Sequence, residues 1–187
     1  MTPIQTQSLP AILEGKDLLA QAKTGSGKTA AFAIGLLHKL EITTYQVQAM
    51  ILCPTRELAD QVTNEIRRLA RSIPNTKIVT LCGGKSMDPQ LASLEHQPHI
   101  VVGTPGRILK HLDKGSLKLD GLKTLVLDEA DRMPCSPDYI AAALDGLGPQ
   151  GGDTHGPNEW VDLDSFAPQI KRAAALIHRL THTRGND

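Results

Sequence analysis

Between residues 18 and 127 the chain alternates short apolar runs with stretches of helical spacing. Apolar runs at 18–21, 49–53, 77–82, 100–103 and 124–127 predict five strands, and the stretches 28–40, 57–72, 89–96 and 107–114 between them predict four helices. Leu125-Val126-Leu127 is apolar without alternation, the pattern of a strand covered on both faces. Parallel strands need a long crossover between them, and the helical stretches supply it. The pattern therefore predicts an α/β fold, a parallel sheet held between two helical layers in a three-layer sandwich. In such sheets ligands gather beyond the carboxyl ends of the strands, so the residues that follow each strand are where chemistry is expected.

The alternation stops near Met133, which predicts two segments, 1–133 and 134–187. The second contains 6 Gly and 5 Pro, and residues 146–156 read Gly-Leu-Gly-Pro-Gln-Gly-Gly-Asp-Thr-His-Gly, a loop or linker composition suited to neither helix nor strand. An amphipathic helix is predicted over 166–180, where Ile170, Ala173, Ala174, Ile177 and Leu180 share one face that would dock on a sheet edge. Charge divides at the same place: residues 1–133 carry 16 Lys+Arg and 13 Asp+Glu, a net of +3, whereas residues 134–187 carry 4 and 7, a net of −3.

The 187 residues, 40% of them apolar and 21% charged, are enough for one ordinary domain with a real core, and aromatics at 3% make that core aliphatic. No apolar run approaches the roughly 18 residues of a membrane span, and the start has no basic region leading into an apolar one, so a cytoplasmic protein without membrane partners is expected. Cys53, Cys82 and Cys135 are odd in number and lack metal-ligand spacing, which predicts reduced packing residues. His96, His99 and His111 also lack such spacing and read as surface or packing residues.

After residue 21 comes Ala22-Lys23-Thr24-Gly25-Ser26-Gly27-Lys28-Thr29 and then a helical stretch, the strand, glycine turn and helix setting of a phosphate-binding loop. Gly25 and Gly27 let the backbone bend so that amide N–H groups face phosphate oxygens, and the helix N-terminus adds positive potential. Lys28 would reach the β- and γ-phosphates of ATP, and the Thr29 hydroxyl would ligate Mg²⁺. The strict pattern begins with glycine, and Ala22 stands there instead. After residue 127 come Asp128-Glu129-Ala130-Asp131. A carboxylate at a strand end can hold Mg²⁺ directly or through water, and Glu129 is placed to orient or deprotonate an attacking water. Alone, two adjacent acids are more often a solvated helix start; the phosphate loop upstream reverses that balance.

Thr2-Pro3-Ile4-Gln5, residues 22–29, Pro54-Thr55-Arg56-Glu57-Leu58-Ala59, Gly83-Gly84, Thr104-Pro105-Gly106-Arg107 and Asp128-Glu129-Ala130-Asp131 occur in this order. The set resembles the first RecA-like domain of DEAD-box ATP-dependent RNA helicases, over residues 1–133, and is most similar to the family's bacterial DbpA branch. The resemblance implies an enzyme of the RNA helicase and ATP hydrolase class that uses ATP and Mg²⁺. It implies that Gln5 reads adenine, which a carboxamide can do as donor and acceptor at once. It also implies that Pro54, Thr55 and Arg56, Gly83 and Gly84, and Thr104, Pro105, Gly106 and Arg107 contact RNA. Small residues there would allow close approach of a sugar–phosphate chain and the arginines would add charge, so backbone-directed, sequence-nonspecific recognition is expected. Read without the resemblance, Gly83-Gly84 is an ordinary turn and Thr104-Pro105-Gly106 an ordinary loop before a helix.

The resemblance further implies parts that these residues do not display. The family's aromatic upstream of the glutamine would precede Met1, and its Ser-Ala-Thr segment does not occur after Met133, where the chain reads Pro134-Cys135-Ser136-Pro137. The second RecA-like domain, with the arginine finger worth roughly 10³ to 10⁵ in rate, is likewise not among them, so little unwinding or hydrolysis is expected of this chain alone. A non-catalytic nucleotide- and RNA-binding half-helicase and a remnant of a disrupted helicase gene stay open as alternatives.

Overall fold

The sheet is built from the four runs with the highest aliphatic content: β1 (Ala49–Leu52), β2 (Ile78–Leu81), β3 (Ile100–Gly103) and β4 (Thr124–Leu127). The computed structural model describes residues 1–130, together with the backbone of 151–152 and 160–161. All four strands are parallel, in the order β2-β3-β1-β4, with Ile51 opposite Val102 and Val126. Five helices accompany them: α1 (Pro3–Leu13), α2 (Lys28–His38), α3 (Arg56–Leu69), α4 (Asp88–Glu95) and α5 (Pro105–Asp113), with a single 3₁₀ turn, Ala70–Ser72, continuing α3.

The order of strands dictates the layers. The step from β1 to β2 runs one way along the sheet, and the steps from β2 to β3 and from β3 to β4 run the other. Right-handed crossovers then put α3 on one face and α4 and α5 on the opposite one. The packing agrees. Ala49, Ile51 and Cys53 share a core with Ala33, Leu36 and Leu37 of α2 and Ala59, Val62 and Ile66 of α3. Met50, Leu52 and Val101 are just as buried, and Gly103 lies so close to Ile108 of α5 that a Cβ there would stand 2.8 Å from its Cδ1. Covering both faces is what lets β1 and β3 be apolar at every position.

The run 18–21 is not a strand. Leu18 and Leu19 are 43% and 47% exposed, and the segment lies outside the sheet. A strand exists only where its N–H and C=O groups find a ladder; this run has the composition but, among the described residues, no partner. The helix α1 was not anticipated by the apolar pattern. Its start is marked instead by chemistry: Thr2 precedes Pro3 at the first helical position, and the Thr2 N–H donates to Gln5 Oε1 at 3.0 Å.

The chain divides into two compact units, Met1–Asp128 and Glu129–Asp187. In the second, Gly151–Gly152 (β5) pairs antiparallel with Trp160–Val161 (β6), so the glycine-rich stretch does form a short strand. A two-residue ladder uses backbone groups alone and asks nothing of a side chain. The predicted helix over 166–180 lies outside the described residues.

Candidate functional site

The phosphate-type loop forms around two left-handed glycines, Gly25 (φ 79°) and Gly27 (φ 94°), a conformation costly for any residue with a Cβ. Gly27 is the N-cap of α2, so the free amides at that helix start open onto the loop. The Lys28 ammonium turns back onto the loop, donating to the carbonyls of Ala22 and Lys23. Gln5 lies in the first turn of α1, and its Nε2 donates to the Gly27 carbonyl at 3.3 Å. A Cβ on Gly27 would stand 2.5 Å from that nitrogen, so the glycine is needed for space as well as for its dihedral. Residues 22 positions apart are thus seated on each other, the glutamine facing the loop.

The loop fits a nucleotide triphosphate on its own donor set. The Ser26 hydroxyl is buried without a hydrogen-bond partner inside a turn of amide donors, and Thr24 and Gly25 are exposed beside it. Thr29, half-buried in the first turn of α2, and Asp128, 7% exposed where β4 ends, are hard oxygen ligands of the kind Mg²⁺ takes. The Asp128 N–H extends the ladder by donating to the Leu52 carbonyl at 3.0 Å, which holds its carboxylate at the strand end. Glu129 follows with φ 48°, a left-handed turn that interrupts the strand at once. Asp131 lies outside the described residues.

The three remaining segments follow β1, β2 and β3, along the carboxyl edge of the sheet. Pro54 is buried, and Thr55 caps α3 by accepting the Leu58 N–H at 3.2 Å. Glu57 in that first turn is held below the usual carboxylate range by its own backbone N–H, with Thr55 adding to the effect. Arg56 lies across Gly84: a Cβ there, at φ 76°, would overlap its guanidinium. The space at Gly84 is taken by an arginine of the same chain, while Gly83 is in ordinary contact with it. Thr104 precedes α5 in extended conformation, Pro105 is buried, and Gly106 is exposed with open space around it. Arg107 Nη2 donates to the Lys85 carbonyl at 2.9 Å, so the segments after β2 and β3 are tied together.

Of the three histidines that read as surface or packing residues, His96 is exposed, whereas His99 and His111 are fully buried and each ring is pinned. His99 Nδ1 accepts the Lys77 N–H at 3.1 Å, which leaves Nε2–H to donate to the Ile42 carbonyl at 3.0 Å. Burial holds His99 and His111 below the usual imidazole range, with the charges of Arg107 and Lys114 adding to the effect at His111. Cys53 and Cys82 are buried in the core, as packing residues are, and Cys135 lies outside the described residues. Gln90 gave no signal in the sequence, yet it is buried at the junction of the β2 and β3 segments. No helix among the described residues is long and apolar enough to cross a membrane.

Known proteins share these features. The ATP-dependent RNA helicase DbpA of Escherichia coli (strain K12) is 65% identical over 133 residues, which make up 71% of this chain and 29% of that protein. The ATP-dependent RNA helicase CshA of Listeria monocytogenes is 51% identical over 132 residues, 71% of this chain and 25% of that one. The chain thus spans between a quarter and a third of these relatives' length. A DEAD box protein from the hyperthermophile Methanococcus jannaschii superposes with a TM-score of 0.68 at 38% identity, covering 92% of this chain and 40% of that one. A hypothetical ATP-dependent RNA helicase from Sulfolobus tokodaii gives 0.63 at 38% identity, covering 71% and 38%. The parallel sheet and its helices have the RecA-like fold of those structures. The DEAD/DEAH box helicase family matches residues 2–143, well over half of the sequence, and it is to this family that the chain belongs.

Proposed function

We propose that residues 1–133 are the ATP- and RNA-binding half of an RNA helicase, holding Mg·ATP at the phosphate loop and single-stranded RNA along the segments after β1, β2 and β3. Residues 134–187 form a segment of separate character. The observation that carries the reading is the seating of Gln5 on Gly27, because it joins a purine-reading carboxamide to the one loop built to receive phosphates.

Bound Mg·ATP would supply a phosphoanhydride whose cleavage can drive a conformational cycle. The residues of this chain bind and orient it. Gln5 offers donor and acceptor to adenine; Ala22, Lys23, Thr24, Gly25, Ser26 and Gly27 wrap the phosphates with backbone N–H groups. Lys28 leaves the carbonyls of Ala22 and Lys23 to neutralise phosphate charge, and Thr29 and Asp128 hold the metal. Glu129 takes the proton of the attacking water. Along the carboxyl edge, Thr55, Gly83, Gly106 and their neighbours admit a sugar–phosphate chain, with Arg56 and Arg107 supplying charge.

Thermal unfolding of the full chain with and without Mg·ATP tests the nucleotide half. Ligand at 100 times its dissociation constant adds about 2.7 kcal/mol, which raises the midpoint of the wild type and not of Lys28→Ala. An equal response of both proteins refutes the assignment. RNA-stimulated turnover, where present, is lost in Glu129→Gln; turnover that survives the change removes Glu129 from its role.

A further inference from the structure

Where β2, α4 and α5 meet, one side chain is bonded to all three neighbours. Gln90, in the first turn of α4, is 8% exposed. Its Nε2 donates to the Cys82 carbonyl at 3.0 Å, just beyond the end of β2. Its Oε1 lies 3.0 Å from His111 Nε2 and accepts from Arg107 Nη1 at 3.4 Å. The directions follow from chemistry. The amide nitrogen must face the carbonyl, so the oxygen faces the imidazole, and His111 carries its proton on Nε2 and donates. Burial and the neighbouring Arg107 and Lys114 favour the neutral ring, whose Nδ1 lies 2.9 Å from the Ser116 hydroxyl, itself a donor to the His111 carbonyl at 3.0 Å. A carboxamide provides a donor toward Cys82 and an acceptor toward His111 and Arg107 at once, which an ionised carboxylate does not.

The consequence lies in the loops. Arg107 reaches past Gln90 to the Lys85 carbonyl, and Gly103 packs so closely on β2 that a Cβ there would stand 2.4 Å from the Leu81 oxygen. The segments Gly83–Lys85 and Thr104–Arg107 come from different strands, and Gln90 is the buried group that bonds to both sides of their junction.

We propose that Gln90, seated on His111, is a positioning residue for RNA binding: it locks the Gly83–Lys85 and Thr104–Arg107 segments into one rigid surface for a sugar–phosphate backbone without touching RNA. This rests on the RNA half of the function proposed above. Gln90→Leu leaves the Cys82 carbonyl and the His111 N–H unsatisfied, which loosens the junction. Gln90→Glu keeps the acceptor but loses the donor while ionised. A protonated carboxyl restores the donor, so the defect of Gln90→Glu closes as pH falls. The groups facing His111 are Gln90 from α4, Arg107 and Lys114 on α5, and Ser116 after it.

Fluorescence anisotropy of a labelled single-stranded oligouridylate at low salt, on the full chain, is the test, read beside the thermal shift with Mg·ATP. Gln90→Leu weakens RNA binding about 3- to 30-fold while its response to Mg·ATP is kept. The ratio of Gln90→Glu affinity to wild-type affinity rises toward one between pH 8 and 5.5. If Arg107→Ala loses RNA and Gln90→Leu binds like wild type, the inference falls and the RNA reading stands. If Gln90→Leu loses the response to Mg·ATP as well, its role is merely structural and the inference falls. Should that variant not fold, a flat Gln90→Glu ratio overturns the inference by itself. Absence of saturable wild-type binding overturns the RNA reading and the inference together.

Discussion

Gly27→Ala probes the join between α1 and the phosphate loop, and its cost can be worked from two features. Gly27 sits at φ 94°, where an L-residue pays about 1–2 kcal/mol. The new Cβ would stand 2.5 Å from Gln5 Nε2, so the amide must move off and its bond to the Gly27 carbonyl is lost, at about 0.5–1.5 kcal/mol. Together the substitution destabilises the first unit by about 1.5–3.5 kcal/mol, which at about 2–4 °C per kcal/mol lowers the thermal midpoint by roughly 3–14 °C. In a Gln5→Ala background the severe clash is gone, the approach to Thr2 Oγ1 at 3.1 Å is milder, and the dihedral cost of about 1–2 kcal/mol dominates. The two substitutions are therefore non-additive by about 1 kcal/mol, within the range that contacting residues show. Urea unfolding of wild type, both single variants and the double variant, followed by circular dichroism, measures this. Equal cost of Gly27→Ala in both backgrounds, or a cost below about 0.5 kcal/mol, would refute the seating of the helix on the loop.

Ile51→Ala opens a cavity at the centre of the sheet, where Ile51 is fully buried between β3 and β4, and costs about 2–5 kcal/mol in urea unfolding; a loss under 1 kcal/mol would contradict the packing described. Thr55→Ala removes the acceptor for the Leu58 N–H and costs about 1 kcal/mol by the same assay, and restoration by Thr55→Ser identifies the cap as the cause. Stability also falls on mild acidification. His99 and His111 have folded pKa values depressed by burial, so the unfolded chain takes up protons first. The stability they confer is fully present above about pH 6.5 and is lost as pH drops through their lower folded values. Urea midpoints measured from pH 8 down to 5.5 decline accordingly, and a flat profile would mean the two rings are not held neutral.

Much of this protein is decided locally. Ala49-Met50-Ile51-Leu52 and Ile100-Val101-Val102-Gly103 are apolar at every position, which only a strand buried on both faces tolerates, and so strands, helices and parallel order were legible. The glycine turn before α2 was equally legible, because Gly25 and Gly27 act through backbone geometry within a few residues. What tertiary structure alone decided involves partners far apart in the chain. Residues 18–21 have the apolar look of a strand and lie outside the sheet, since a ladder is a property of two segments. Gly84 reads as a turn residue until Arg56 is found lying on it, and the contact of the Gln5 amide with Gly27, 22 positions away, belongs to the fold alone. Gln90 carries no signal at all: a polar residue on a short helix is ordinary. Only the convergence of Cys82, Arg107 and His111 around it makes its donor and acceptor matter. Periodicity records which face of an element is buried; which groups satisfy one another across elements is settled by packing, where each buried polar atom must find its partner.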